Sequence, residues 1–140
     1  MTALSELARE APIDVVVTTG SMAPGIVAGA RVSVRGQTGY RRGDVLVFAN
    51  SVGDLVAHRL LGRRRLRGAV HFVTRGDAAP RADGLVPTER VVGRVVGGEC
   101  ASRVADVPAL DRLRAGWRFL TYLGSRLGAR LAFGRGEAAT

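Results

Sequence analysis

Residues 31–35 alternate arginine or serine with Val32 and Val34, the period-two pattern of a strand with one face buried. Apolar runs at 13–19, 44–49, 54–61, 70–74 and 90–96 predict five more strands, because each is short, rich in valine and bounded by turn formers. Gly20-Ser21-Met22-Ala23-Pro24-Gly25 breaks the first run sharply, residues 36–43 turn, and residues 50–53 form a hairpin turn. Residues 63–68 predict a basic turn and residues 75–87 an irregular loop. Ahead of the strands, residues 2–9 predict a short helix. Thr2 is its N-cap, Leu4, Leu7 and Ala8 share one side, and Pro12 stops it. The pattern is that of a mainly β domain.

From residue 107 the period changes. Leu110, Leu113, Trp117, Leu120, Leu127 and Leu131 fall at helical spacing, with Arg112, Arg114, Arg118, Arg126 and Arg130 at other positions. The chain therefore divides into a β domain, 1–106, and a basic amphipathic helical tail, 107–140. Gly116, Gly124 and Gly128 each weaken a helix by about 1 kcal/mol relative to alanine. Their presence predicts a helix that is broken or forms only on a surface. Residues 110–133 have two uses, docking on an anionic membrane or packing on the β domain, and both draw on the same leucine stripe.

A chain of 140 residues has single-domain length and buries roughly two-thirds of its unfolded surface. Its 46% hydrophobic and 24% charged residues are ordinary for a globular protein and exclude wholesale disorder. Every basic residue is arginine, and the net charge of +9 points to an anionic partner, nucleic acid or a membrane surface. Cys100 is the only cysteine, which removes an intrachain disulfide and a zinc–cysteine cluster; it reads as a small apolar residue at a strand end. No paired His/Cys spacing implies a metal, and no motif implies a cofactor. Residues 1–12 carry Glu6, Arg9 and Glu10 and lack the apolar stretch of a signal peptide. No window reaches the ~18 apolar residues of a spanning helix. The expected location is cytoplasmic or peripheral to a membrane.

A serine hydroxyl becomes a nucleophile only when a neighbouring base takes its proton. With no lysine in the chain, the base must be sought between His58 and His71. Ser21, at a strand-ending turn, has an exposed hydroxyl, although a serine there also serves simply to cap the turn. His58 lies within a strand, where a histidine is more often a satisfied structural residue. His71, beside Phe72, reads as structural, and Asp44 after Gly43 as a turn-stabilising residue.

Gly20-Ser21-Met22-Ala23-Pro24, Arg42-Gly43-Asp44-Val45-Leu46-Val47-Phe48, Val56-Ala57-His58-Arg59, Phe72-Val73-Thr74-Arg75-Gly76-Asp77 and Val91-Val92-Gly93-Arg94-Val95 follow one another in order. Over roughly residues 15–97 this series resembles the type I signal peptidases, in the branch that uses histidine in place of lysine. The resemblance implies a mostly antiparallel fold of twisted sheets. It implies Ser21 as nucleophile and His58 as general base, with Asp83, six positions after Asp77, orienting the histidine. Asp77 matches the structural aspartate of the same loop, and Thr19 a hydroxyl that supplements an oxyanion hole to which the Ser21 N–H contributes. Histidine, with an ordinary pKa of about 6.5, suits a base near neutral pH. Where the family loop commonly carries asparagines this chain has Ala78-Ala79-Pro80-Arg81, so its hydrogen bonding must differ, and the family's usual N-terminal membrane anchor is missing.

The implied activity is serine endopeptidase cleavage of a signal or leader peptide after small residues, on a peptide or preprotein substrate. One alternative is a non-catalytic member that binds peptides at a sheet edge. A nucleic-acid-binding module, suggested by Arg59 and the arginines of 63–67, ranks below both because it lacks interleaved aromatics and a groove-reading motif.

Overall fold

The computed structural model describes residues 2–134, with side chains as far as Leu131; Met1, residues 135–140 of the expected tail and the Phe133 side chain lie outside the described residues. Helix α1 (Ala3–Glu10) starts where expected, the Thr2 hydroxyl accepting from Ser5 N–H at 3.3 Å. Its inward side is Ser5 and Ala8, whereas Leu4 and Leu7 are exposed. The reason is a close approach: a Cβ at Gly36 would lie 2.8 Å from Arg9 Cγ and 3.1 Å from Arg9 N, so only small residues fit between α1 and the sheet.

Seven strands follow: β1 (Ile13–Val16), β2 (Arg31–Arg35), β3 (Val45–Ala49), β4 (Leu55–Leu66), β5 (Ala69–Arg75), β6 (Val86–Pro87) and β7 (Val91–Gly98). All pair antiparallel in one curled sheet of order β1-β2-β7-β3-β4-β5-β6, so the fold is mainly β, as expected, in a single sheet. Strand β3 is buried on both faces. Val45 and Val47 join the cluster around Met22, Ile26 and Val34, while Leu46 and Phe48 join Val56, Leu60 and Phe72 on the other side. That is why its sequence is an unbroken apolar run.

A seventh strand, β6, lies at the end of the expected irregular loop 75–87, β7 runs on to Gly98, and two further boundaries differ from the sequence reading. Strand β1 ends at Val16, and β4 continues through the expected basic turn to Leu66. The reversal shrinks to Arg67-Gly68, with φ of +50° and +80°, the two-residue geometry that suits a twisted hairpin. The β4–β5 ribbon reaches past the rest of the sheet there, and its arginines hide the period of two. Arg63 lies over the Phe72 ring and Arg64 over Tyr122.

After the short helix α2 (Ser102–Ala105), α3 (Ala109–Gly134) is one continuous helix, not a broken one. It packs on the sheet through Ala115, Phe119 and Tyr122, which meet Leu61 and Val73. A Cβ at Gly62 would lie 2.6 Å from the Phe119 ring, and the Arg42 guanidinium covers that ring at 5.1 Å. Arg112 donates to Arg42 O at 2.9 Å and to the buried Asp44 carboxylate at 3.0 Å. This docking offsets the glycine penalty, since helices in proteins draw their stability mainly from a packed face. The leucine stripe takes no part in it: Leu110, Leu113, Trp117, Leu120, Leu127 and Leu131 are all exposed. Packing and the stripe therefore use different faces, and the two expected uses do not compete. Among the described residues, no helix is long and apolar enough to cross a membrane.

Phe119→Ala is expected to lower the unfolding free energy by about 1–3 kcal/mol, because a half-buried ring leaves a gap above Gly62. Leu120→Ala, on the exposed side, is expected to change it by less than about 0.5 kcal/mol. Urea denaturation of the two variants measures the contrast, and equal losses would contradict the described docking.

Candidate active site

The turn after β1 is held from below. Met22 is fully buried, Ala23 N–H donates to Gly20 O at 3.0 Å, and Ile26 N–H donates to Met22 O at 3.0 Å. Those bonds fix the backbone and leave the neighbouring Ser21 side chain half-buried at the sheet margin. His58 comes from β4 with only 12% of its side chain exposed, its ring meeting Phe48 edge-on at 5.7 Å between centroids.

Ser21 Oγ lies 2.7 Å from His58 Nε2, and His58 Nδ1 lies 2.5 Å from Asp83 Oδ2. A carboxylate oxygen only accepts, so Nδ1 carries the proton there and Nε2 is left with its lone pair toward the serine hydroxyl. The same Asp83 oxygen accepts from Thr74 Oγ1 at 2.7 Å, and Asp83 N–H donates to Thr74 O at 2.8 Å. Thr19 Oγ1 is 3.2 Å from Ser21 Oγ. Among the described residues no hydrogen bond engages Ser21 N–H, which leaves it available to an oxyanion.

Asp77 stands apart from this line. It takes a bidentate pair from Arg59, Nε at 2.9 Å and Nη2 at 2.8 Å, and Arg59 Nη1 donates to Gly43 O at 2.8 Å. Burial pushes the Arg59 guanidinium down, but the Asp77 carboxylate, with the charges of Asp111 and Asp44, outweighs it and the net direction is up. The pair sets the start of the loop that leads to Asp83. Asp77 N–H points at Met22 Sδ at 3.3 Å, and Ala78 N–H donates to Ser21 O at 2.9 Å. Gly76 is pressed against Ser21, where a Cβ would lie 2.6 Å from Ser21 O.

Ser21, His58, Asp83 and Thr19 are thus brought together, and Asp77 supports their loop from the side. Arg59, considered above as a nucleic-acid contact, is buried and fully engaged. His71 lies away from the site in β5, its Nδ1 3.2 Å from Ala69 O. Burial pushes the Cys100 thiol up, against thiolate formation. Asp44 holds its turn as expected, accepting from Arg41 N–H at 2.8 Å.

Sequence reasoning assigned no role to Thr74, Phe48 or Gly76. Thr74 had a usable signal: a hydroxyl in an otherwise apolar strand, here 0% exposed, needs a polar partner. A cleft of about 300 Å³ opens beside His58 and Asp83, walled by Phe48, Val56, Leu85 and Val86. Among the described residues no group of three His, Cys, Asp or Glu side chains is arranged to hold a metal ion. No family model matches the chain, and no curated protein matches it. The chemistry of the site therefore rests on its own geometry.

Asp77→Ala is expected to cost on the order of 2–3 kcal/mol of stability, because it strands a buried guanidinium. Chemical denaturation measures this, and an unchanged midpoint would refute a structural role for the pair.

Proposed function

We propose that this chain is a serine endopeptidase, of the kind its resemblance to the type I signal peptidases implies, cutting a peptide or preprotein after small residues. The observation that carries the reading is the hydrogen-bonded line from Ser21 Oγ through His58 to Asp83. In this mechanism Nε2 takes the hydroxyl proton as Ser21 Oγ attacks the scissile carbonyl, and Asp83 stabilises the imidazolium that forms. The oxyanion of the tetrahedral intermediate is met by Ser21 N–H, with Thr19 Oγ1 as a second donor. Nε2–H then protonates the leaving amine, and the acyl-enzyme is released when water, activated by the same nitrogen, attacks it.

A binding route supports the same reading. Residues 59–66 of β4 pair with β5, whereas residues 55–58 pair only with β3, so the strand carrying His58 has an open edge. An extended peptide adding there would lie beside His58 and the apolar cleft. A non-catalytic peptide-binding role would use that edge too, but it gives no reason for Asp83 and Thr74 to orient a histidine toward a serine. The location expected from the sequence, cytoplasmic or peripheral to a membrane, belongs to this proposal.

Ser21→Ala is expected to abolish turnover of a peptide with alanines flanking the scissile bond, without changing the unfolding midpoint. Thr74→Val, which leaves Asp83 a single partner, is expected to lower kcat about tenfold with little change in KM. Turnover of the parent is expected to fall on acidification, since protonated Nε2 has no lone pair for the hydroxyl. Equal turnover by Ser21→Ala, or a profile flat from acid to neutral pH, would rule the assignment out.

A further inference from the structure

Helix α3 carries a long apolar surface that nothing in the described residues covers. Leu113, Trp117, Leu120, Leu127 and Leu131 recur at helical spacing along one line and are between 61% and 72% exposed. They point away from the sheet, because Ala115, Phe119 and Tyr122 occupy the opposite side. A continuous exposed stripe of this kind marks an interaction surface.

Its border identifies the partner. The positions that follow Leu113, Trp117 and Leu120, each about 100° further round the helix, are Arg114, Arg118 and Thr121. On that flank a polar pocket is lined by four arginines, Arg75, Arg81, Arg118 and Arg126, together with Thr121 and Ser125. Among the described residues only Arg118 of these four has a carboxylate within 4.0 Å, Asp77 at 3.8 Å. Burial, and then the charge of Arg118, push Arg75 down, and the nearby Asp77 carboxylate offsets them only in part. Further along the helix Arg64, Arg126 and Arg130 line a second hollow.

We propose that the exposed face of α3 docks on an anionic lipid bilayer, the leucines and Trp117 entering the boundary below the headgroups while the Arg75–Arg81–Arg118–Arg126 pocket receives a lipid phosphate. Apolar side chains and cations on adjacent flanks of one helix match the two layers of such a surface. A second copy of the chain fits worse, since pairing the stripes would bring two sets of arginines together. The helix lies in the plane of the membrane, as it is not apolar enough to span one. Arg75 and Arg81 flank Asp77 on the loop that ends in Asp83, so the headgroup pocket and the candidate site share a loop. The docking itself does not depend on the peptidase reading.

Trp117 is the only tryptophan and so reports directly on the stripe. Full-length protein is titrated at low salt with vesicles of phosphatidylcholine alone and of phosphatidylcholine with phosphatidylglycerol. The expected result is a blue shift of Trp117 emission and co-sedimentation with the anionic vesicles, roughly tenfold or more tighter than with the zwitterionic ones and weakened by added salt. Leu113→Gln with Leu120→Gln is expected to abolish both signals while leaving the thermal midpoint unchanged, and Arg126→Gln or Arg130→Gln to weaken binding about fivefold each. Absence of a shift with anionic vesicles, or equal binding to both vesicle types, would overturn the proposal. So would a concentration-dependent dimer that buries Trp117 without lipid, and full competition by millimolar inorganic phosphate would reassign the pocket to a free anion.

Discussion

A guanidinium taken out of water must be neutralised and have its donors satisfied, and in this protein Arg59 meets that demand with parts of the chain that are otherwise far apart. Two of its donors hold the Asp77 carboxylate and a third holds the carbonyl of Gly43. One buried charge thereby fixes the loop after β5 against the turn before β3. From Asp77 the restraint passes on, through Met22 and Ala78 N–H, to both sides of Ser21. The position of the serine is in this sense set by an ion pair that touches neither its hydroxyl nor the imidazole.

Arg59 and His58 are neighbours on β4, and neighbours on a strand face opposite sides of the sheet. The segment from Asp77 to Asp83 must therefore begin on one face and finish on the other. It does so around the margin where β5 has already left β4 and residues 55–58 lack a second partner. Wrapping that margin lets a single short loop clamp Arg59 on one side and orient the imidazole on the other. The alanines and proline of residues 78–80 fit this path because the fixing contacts come from backbone groups and from the two terminal aspartates, not from side chains in the middle of the loop.

Much of this was legible in the chain. Valine runs between turn formers gave the strand positions, and the order of motifs around Ser21, His58 and Asp83 marked the residues that the fold brings within hydrogen-bonding distance. The departures have specific causes. The outer end of β4 was hidden because its arginines cover Phe72 and Tyr122 where an alternating strand would show apolar residues, and Arg67 at positive φ is not a residue that announces a turn. Helix α3 misled because its most hydrophobic side is not its packed one: Ala115, Phe119 and Tyr122 bury little area and depend on Gly62 opposite them. Arg59 looked like a surface cation since sequence alone does not reveal which aspartate will reach it.

The sheet order has a consequence for how Ser21, His58 and Asp83 come together. Strands β1 and β2, with Ser21 in the turn between them, form one ribbon, and β3 to β6, with His58 and Asp83, form another. By strand pairing the two ribbons are joined only through β7, which inserts between β2 and β3. Residues 91–98 follow every member of the Ser21–His58–Asp83 line in the sequence, so the strand that completes the sheet is made after all three. A chain interrupted before β7 contains Ser21, His58 and Asp83 yet lacks the one strand that pairs the ribbon of the first with the ribbon of the other two.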